Sequence, residues 1–234
     1  MRSNFNSEAL LCNIPIILID KRGGEYTMLL PTLRDKLENL DYEIFISFCA
    51  ADLKEINDKM GTNFKDRFTM FKTYKSNKVD VLPILEKFLK KYMKGFKYVD
   101  DSLYWGNRLV GKEIFEMFCE YISIAAGVKA IKTLDLIITD DMDEFEKRRI
   151  MMERKIQATK SKGNNDGKQT SIDKMLVGIS HEFGYKYSEL LDMTLYGIYY
   201  MYSQLGSIMN YEVGNIAAGN GLLNKNTKHN HWAN

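Results

Sequence analysis

Proline is scarce in this chain: three residues, at 15, 31 and 83, leave long stretches free to be helical. Cysteine is equally sparse. Cys12, Cys49 and Cys119 are odd in number, far apart and never in a C-x-x-C pair, which argues against a disulfide framework or a structural zinc site and favours a reducing compartment. No apolar run reaches the roughly 18–20 residues that span a bilayer. The first twelve residues lack the long apolar core of a secretion signal. The expectation is a protein that stays in the compartment where it is made, with no membrane partner.

Catalytic signatures are missing as well. There is no Gly-x-Ser-x-Gly, and no Cys/His pair has a supporting motif. His181 and Glu182 do not extend to H-E-x-x-H, because Tyr185 stands where the second histidine belongs. Gly214, Gly219 and Gly221 lack the Lys-Ser/Thr of a phosphate loop and a preceding strand, so they read as a helix end and turn. His229 and His231 on the tail supply too few ligands for a closed zinc site. Asp140, Asp141, Asp143, Glu144 and Glu146 stand at an expected helix start, where negative charge complements the helix dipole. The expectation is a protein that is not an enzyme and has no cofactor.

What is present is ordinary globular material. The chain has 234 residues, 45% apolar and 27% charged, with a net charge of +2. That is long enough to bury a core without staples, and too neutral overall to be a polyanion-binding surface, though local basic patches are compatible with it.

The pattern predicts an α+β fold, mostly α, with an N-terminal β-hairpin packed on a helical body and a small C-terminal helical module. Ile14–Ile19 and Tyr26–Leu30 are strands around Asp20-Lys-Arg-Gly-Gly24. Thr32 is the N-cap of the next element, with Asp35 in its first turn. The pattern is helical to Leu89. Residues 96–110 read as a second short hairpin or irregular β insertion, and Lys112–Ala126 as a helix ending at Gly127. Leu134–Ile138 is a short strand or buried connection, and Asp140–Lys160 a charged helix with a narrow apolar seam. Residues 1–160 thus form the body. The polar stretch 161–170 is a linker, 171–219 the helical module, and 220–234 a mobile tail.

The module carries the feature used below. Ser171–Phe183 is one helix and a second runs from Ser188. Leu191, Leu195, Ile198, Tyr202, Leu205 and Met209 follow at spacings of 4,3,4,3,4, and Val213 and Ile216 continue the seam. Gly197, Gly206 and Gly214 each weaken a helix by about 1 kcal/mol relative to alanine, which predicts a kink or break near 206–214. The seam is too wide for one short helix to cover. Leu191, Leu195, Ile198, Tyr199, Tyr200, Tyr202 and Leu205, with Trp232 of the tail, are therefore the candidate partner-binding residues. A second reading places a nucleic-acid patch on Lys90, Lys91 and Lys94 with Tyr92, Phe96 and Tyr98. Solvated lysines over core aromatics are the simpler account, and make nucleic acid the lesser alternative.

Three features together resemble bacteriophage tail and baseplate assembly proteins from phages of Gram-positive hosts. One is the opening hairpin with Leu30-Pro-Thr-Leu-Arg-Asp35 and Asp41-Tyr-Glu-Ile-Phe45. Another is Leu136-Ile-Ile-Thr-Asp140 running into Asp143-Glu-Phe-Glu-Lys-Arg-Arg149 and a polar linker. The third is the small end module with Met193-Thr-Leu-Tyr196 and the closing Lys228-His-Asn-His-Trp232. The organisation is similar to that of tail-assembly chaperones and of the baseplate-hub assembly proteins of T-even-type phages. The resemblance implies no catalytic residues. It implies a protein of the host cytoplasm, or one carried into the virion tail, that binds a tape-measure or baseplate-hub protein and has scope for self-association.

Overall fold

The structure is a computed structural model that describes residues 2–100, 102–128 and 171–219. The expected strand 134–138, charged helix 140–160, linker 161–170 and tail 220–234, with Trp232, His229 and His231, lie outside the described residues.

The fold is α+β and mostly helical, with an N-terminal antiparallel hairpin, a helical body and a C-terminal helical module. The hairpin is β2 (Ile16–Ile19) against β3 (Glu25–Met28), with Ile16 opposite Met28. Alternation drives it: Ile16, Leu18, Tyr26 and Met28 are buried, while Ile17 and Thr27 face out. A short β1 (Arg2–Ser3), not anticipated from the sequence, pairs with β2 and makes a three-stranded sheet in the order β1-β2-β3. Between β1 and β2 lies α1 (Ser7–Leu11), capped by Asn6. Asp20 closes the β2–β3 turn by accepting from the backbone N–H groups of Arg22 and Gly24. The Gly24 amide above all, helped by Arg22 and Tyr26, holds the Asp20 carboxyl below its ordinary range.

The stretch to Leu89, expected to be helical, divides into α2 (Leu33–Glu38), α3 (Tyr42–Ala50), α4 (Leu53–Met60), α5 (Arg67–Ser76) and α6 (Leu82–Tyr92). The divisions follow local chemistry. Thr32 and Asp35 form a capping box, and Asp52 and Asp66 cap α4 and α5. Gly61 ends α4 in the left-handed conformation. The 96–110 segment is a second antiparallel sheet, β4 (Phe96–Val99), β5 (Ser102–Trp105) and β6 (Arg108–Leu109), in that order. Then α7 (Lys112–Ala125) crosses the body and stops at Ala126-Gly127.

An aromatic core fills the body. Phe45, Phe88 and Tyr92 stack with ring centroids 5.0 to 6.1 Å apart, and Phe71, Phe115, Phe118 and Trp105 continue the cluster. Asp35 is buried beneath it, accepting from Tyr92 Oη at 2.9 Å, from the Thr32 amide and from Lys91. Burial first, then the Asp35 carboxylate, push the hydroxyls of Tyr42 and Tyr92 far upward, so both stay protonated. Tyr42 Oη is buried and has no hydrogen-bond partner among the described residues.

The module comprises α8 (Ile172–Phe183), α9 (Tyr187–Leu191) and α10 (Leu195–Gly219). It shares the body's core: Met175, Leu176, Ile179, Leu190, Leu195 and Ile198 belong to the same buried cluster as the body's aromatics.

Candidate protein-binding surface

The expected helix from Ser188 is interrupted at Asp192-Met193-Thr194, not at 206–214. The cause is a competing hydrogen bond. Thr194, fully buried, accepts at Oγ1 from the Gly197 amide at 3.0 Å and donates to the Leu10 carbonyl at 2.8 Å. One hydroxyl thus caps α10 and ties its start to α1. From Leu195 the helix then runs unbroken for 25 residues through Gly197, Gly206 and Gly214. At Gly197 a Cβ would stand 3.8 Å from the Leu11 backbone, so α10 passes in ordinary van der Waals contact with α1 there.

Further contacts hold the entrance of α10. The Leu33 amide donates to Met193 O at 2.8 Å, Asn13 Nδ2 to Asp192 O at 2.9 Å, and Arg34 Nε to Asp192 Oδ1 at 2.8 Å. The bond from Arg34 holds the Asp192 carboxyl below its ordinary value of 3.8. Gly127, at φ +70°, lies under the Tyr199 ring: a Cβ there would stand 2.5 Å from it. Leu205 likewise seats against α8 at Gly178.

These contacts decide which candidate residues are on offer. Leu195, Ile198 and Leu205 are buried within the chain, and Leu191, Tyr199 and Tyr202 are half-buried and packed on the core. Tyr200 is half-buried and stacks on Tyr196. Trp232 is not among the described residues. The face these residues define does not end with them. At 3.6 residues per turn, Leu195, Ile198, Tyr202, Leu205, Met209, Val213 and Ile216 all fall within an arc of about 80°. Its first half is covered: Leu195 is 1% exposed, Ile198 0% and Leu205 7%. Its second half is open: Met209 is 53% exposed, Val213 64% and Ile216 65%. The seam was legible as a period, but the residue at which its cover ends was not.

The open half is unusual in charge. Between Leu195 and Gly219 the only charged side chain is Glu212. On the polar side, Ser203 and Ser207 turn their hydroxyls back to the carbonyls of Tyr200 and Ser203. An exposed helix normally carries charges where it meets water.

Other chemistry is weak by comparison. Cys49 and Cys119 are buried, and burial pushes the Cys119 thiol well up, away from nucleophilic use. Among the described residues no group of three or more His, Cys, Asp or Glu side chains is placed to hold a metal. No described helix is long and apolar enough to cross a membrane. In the basic-aromatic alternative, Tyr92 and Phe96 are buried and Lys91 is spent on Asp35, so these rings present no face for bases. No protein-family model, no curated protein and no solved structure matches the chain.

Proposed function

We propose that this chain is a non-enzymatic assembly protein whose long C-terminal helix α10 binds another protein, and that the partner is a bacteriophage tail component of the tape-measure or baseplate-hub kind. One observation carries the binding role. A single face of a continuous helix is core for its first turns and uncovered apolar surface at Met209, Val213 and Ile216. Exposed apolar side chains aligned on one face mark interaction surfaces, and Met with branched aliphatics suits a surface that leaves water on binding. The tail component as partner is supported by the sequence resemblance alone.

The test is co-expression of the full chain with the tape-measure and hub proteins of the same phage, one at a time. The expected result is a stoichiometric complex with one of them that survives size-exclusion chromatography. Absence of a complex with both overturns the proposed partner.

A further inference from the structure

We infer that the lysine row running from α6 into β4 binds the phosphate backbone of a nucleic-acid duplex without reading its sequence. This activity is separate from the protein-binding role proposed for α10, and neither depends on the other.

Charge is segregated along the chain. Residues 65–97 hold ten Lys or Arg against three Asp or Glu, a net of +7 in a molecule whose total is +2, so everything else carries −5. Folding neutralises some of these cations: Arg67 pairs with Glu116, Lys75 with Glu86, and Lys91 with the buried Asp35. Lys87, Lys90, Lys94 and Lys97 are exposed and meet no carboxylate among the described residues. Glu86, four residues before Lys90, is the acid that could have paired with it, and Lys75 holds it at 2.5 Å.

These lysines follow one another in space. On α6, Lys87, Lys90 and Lys91 fall within an arc of about 100°. A tight turn at Met93–Phe96 carries Lys94 and leads straight to Lys97 on β4; the Phe96 amide closes it on Met93 O at 3.0 Å, with Gly95 at φ +81°. Like charges three and four residues apart repel on a helix. The helix dipole favours Lys90 and Lys91 in the last turn of α6, but Lys87 lies a turn earlier and Lys97 stands on a strand. A polyanion laid along the row removes this repulsion.

A duplex carries one negative charge per about 1.7 Å of its axis, the complement of such a row. The four unpaired cations are all lysine, a point charge that suits phosphate, whereas protein interfaces favour arginine and are poor in lysine. Between residues 65 and 97 no large apolar side chain is exposed to anchor this surface in a lipid layer. Phe88, Tyr92 and Phe96 are buried, so the bases of a single strand find no ring beside the lysines.

The experiment is fluorescence anisotropy of a labelled DNA duplex of mixed sequence, titrated with the full chain over a series of salt concentrations. Duplexes of unrelated sequence should bind alike. Four phosphate contacts give log K a slope of about −3.6 against log salt, so a rise from about 50 to about 200 mM should weaken binding roughly 150-fold. Lys87→Gln, Lys90→Gln, Lys94→Gln and Lys97→Gln should each shrink that loss by about 3.5-fold. The four together should abolish binding, and Lys174→Gln, on α8, should change nothing. All four sites are exposed, so the melting temperature should hold; the single variants decide the matter if the fourfold variant unfolds. No binding to duplex at about 50 mM salt, a salt slope unmoved by the substitutions, or tighter binding of the separated strands each overturn the inference. So does lysine-dependent capture of poly-glutamate or of phosphatidylserine vesicles in place of the duplex.

Discussion

Alanine substitution at two positions on the same face of α10 should give very different costs. Ile198 is fully buried in the shared core. Ile198→Ala removes its side chain beyond Cβ and leaves a cavity, at a cost of roughly 2–5 kcal/mol. Val213 is 64% exposed. Complete burial of a valine is worth roughly 1.5–3 kcal/mol, so about a third of that, near 0.5–1 kcal/mol, is at stake. Alanine recovers up to about 0.7 kcal/mol through its better helix propensity. Val213→Ala should therefore fall within about 0.5 kcal/mol of the wild type. Urea titration at 25 °C reads both, with unchanged slope as the control for an unaltered unfolding transition. A loss of 2 kcal/mol or more at Val213 would mean that the chain covers its own stripe, and the argument for an open surface would fail.

Three further outcomes follow from the body and from the docking of the module. Tyr92→Phe removes a donor to the buried Asp35 carboxylate and should cost roughly 1.5–3 kcal/mol, whereas Tyr42→Phe removes a buried hydroxyl with no partner and should stabilise by about 1 kcal/mol; equal effects in urea titration refute the assignment. Gly127→Ala meets both a left-handed backbone and the Tyr199 ring. It should lose more than the roughly 1–2 kcal/mol of backbone strain alone, and only that strain in a Tyr199→Ala background, which a double-mutant cycle measures. The Asp192 carboxyl, lowered by Arg34, stabilises the fold at pH above its ordinary 3.8, and that contribution disappears as pH falls through the lowered value. In Arg34→Gln the Asp192 resonance, followed by NMR, should titrate closer to 3.8; an unmoved titration contradicts the contact.

Local chemistry made much of this fold legible. The β2–β3 hairpin, the Thr32–Asp35 capping box, α7 and its stop at Gly127 all follow from neighbouring residues. What escaped depended on distant partners. Nothing near Thr194 says that its hydroxyl meets the Leu10 carbonyl, 184 residues away, so the helix start was misplaced. Tyr92 over Asp35 is equally long-range. For the candidate surface, periodicity found the face but assigned binding to its better-packed half. Leu195, Ile198 and Leu205 belong to the interior, and the exposed continuation at Met209, Val213 and Ile216 is what water sees.

The central claim is most directly tested by Val213→Lys in the full chain, measured beside the wild type for melting temperature and for co-purification with the tail component proposed above. A lysine at a site 64% exposed can keep its ammonium in water, so the fold should melt within about 2 °C of the wild type. The same charge, forced into an apolar contact with no counter-ion, should abolish co-purification. Retained co-purification by a folded Val213→Lys protein, or unfolding caused by the substitution itself, would contradict the account.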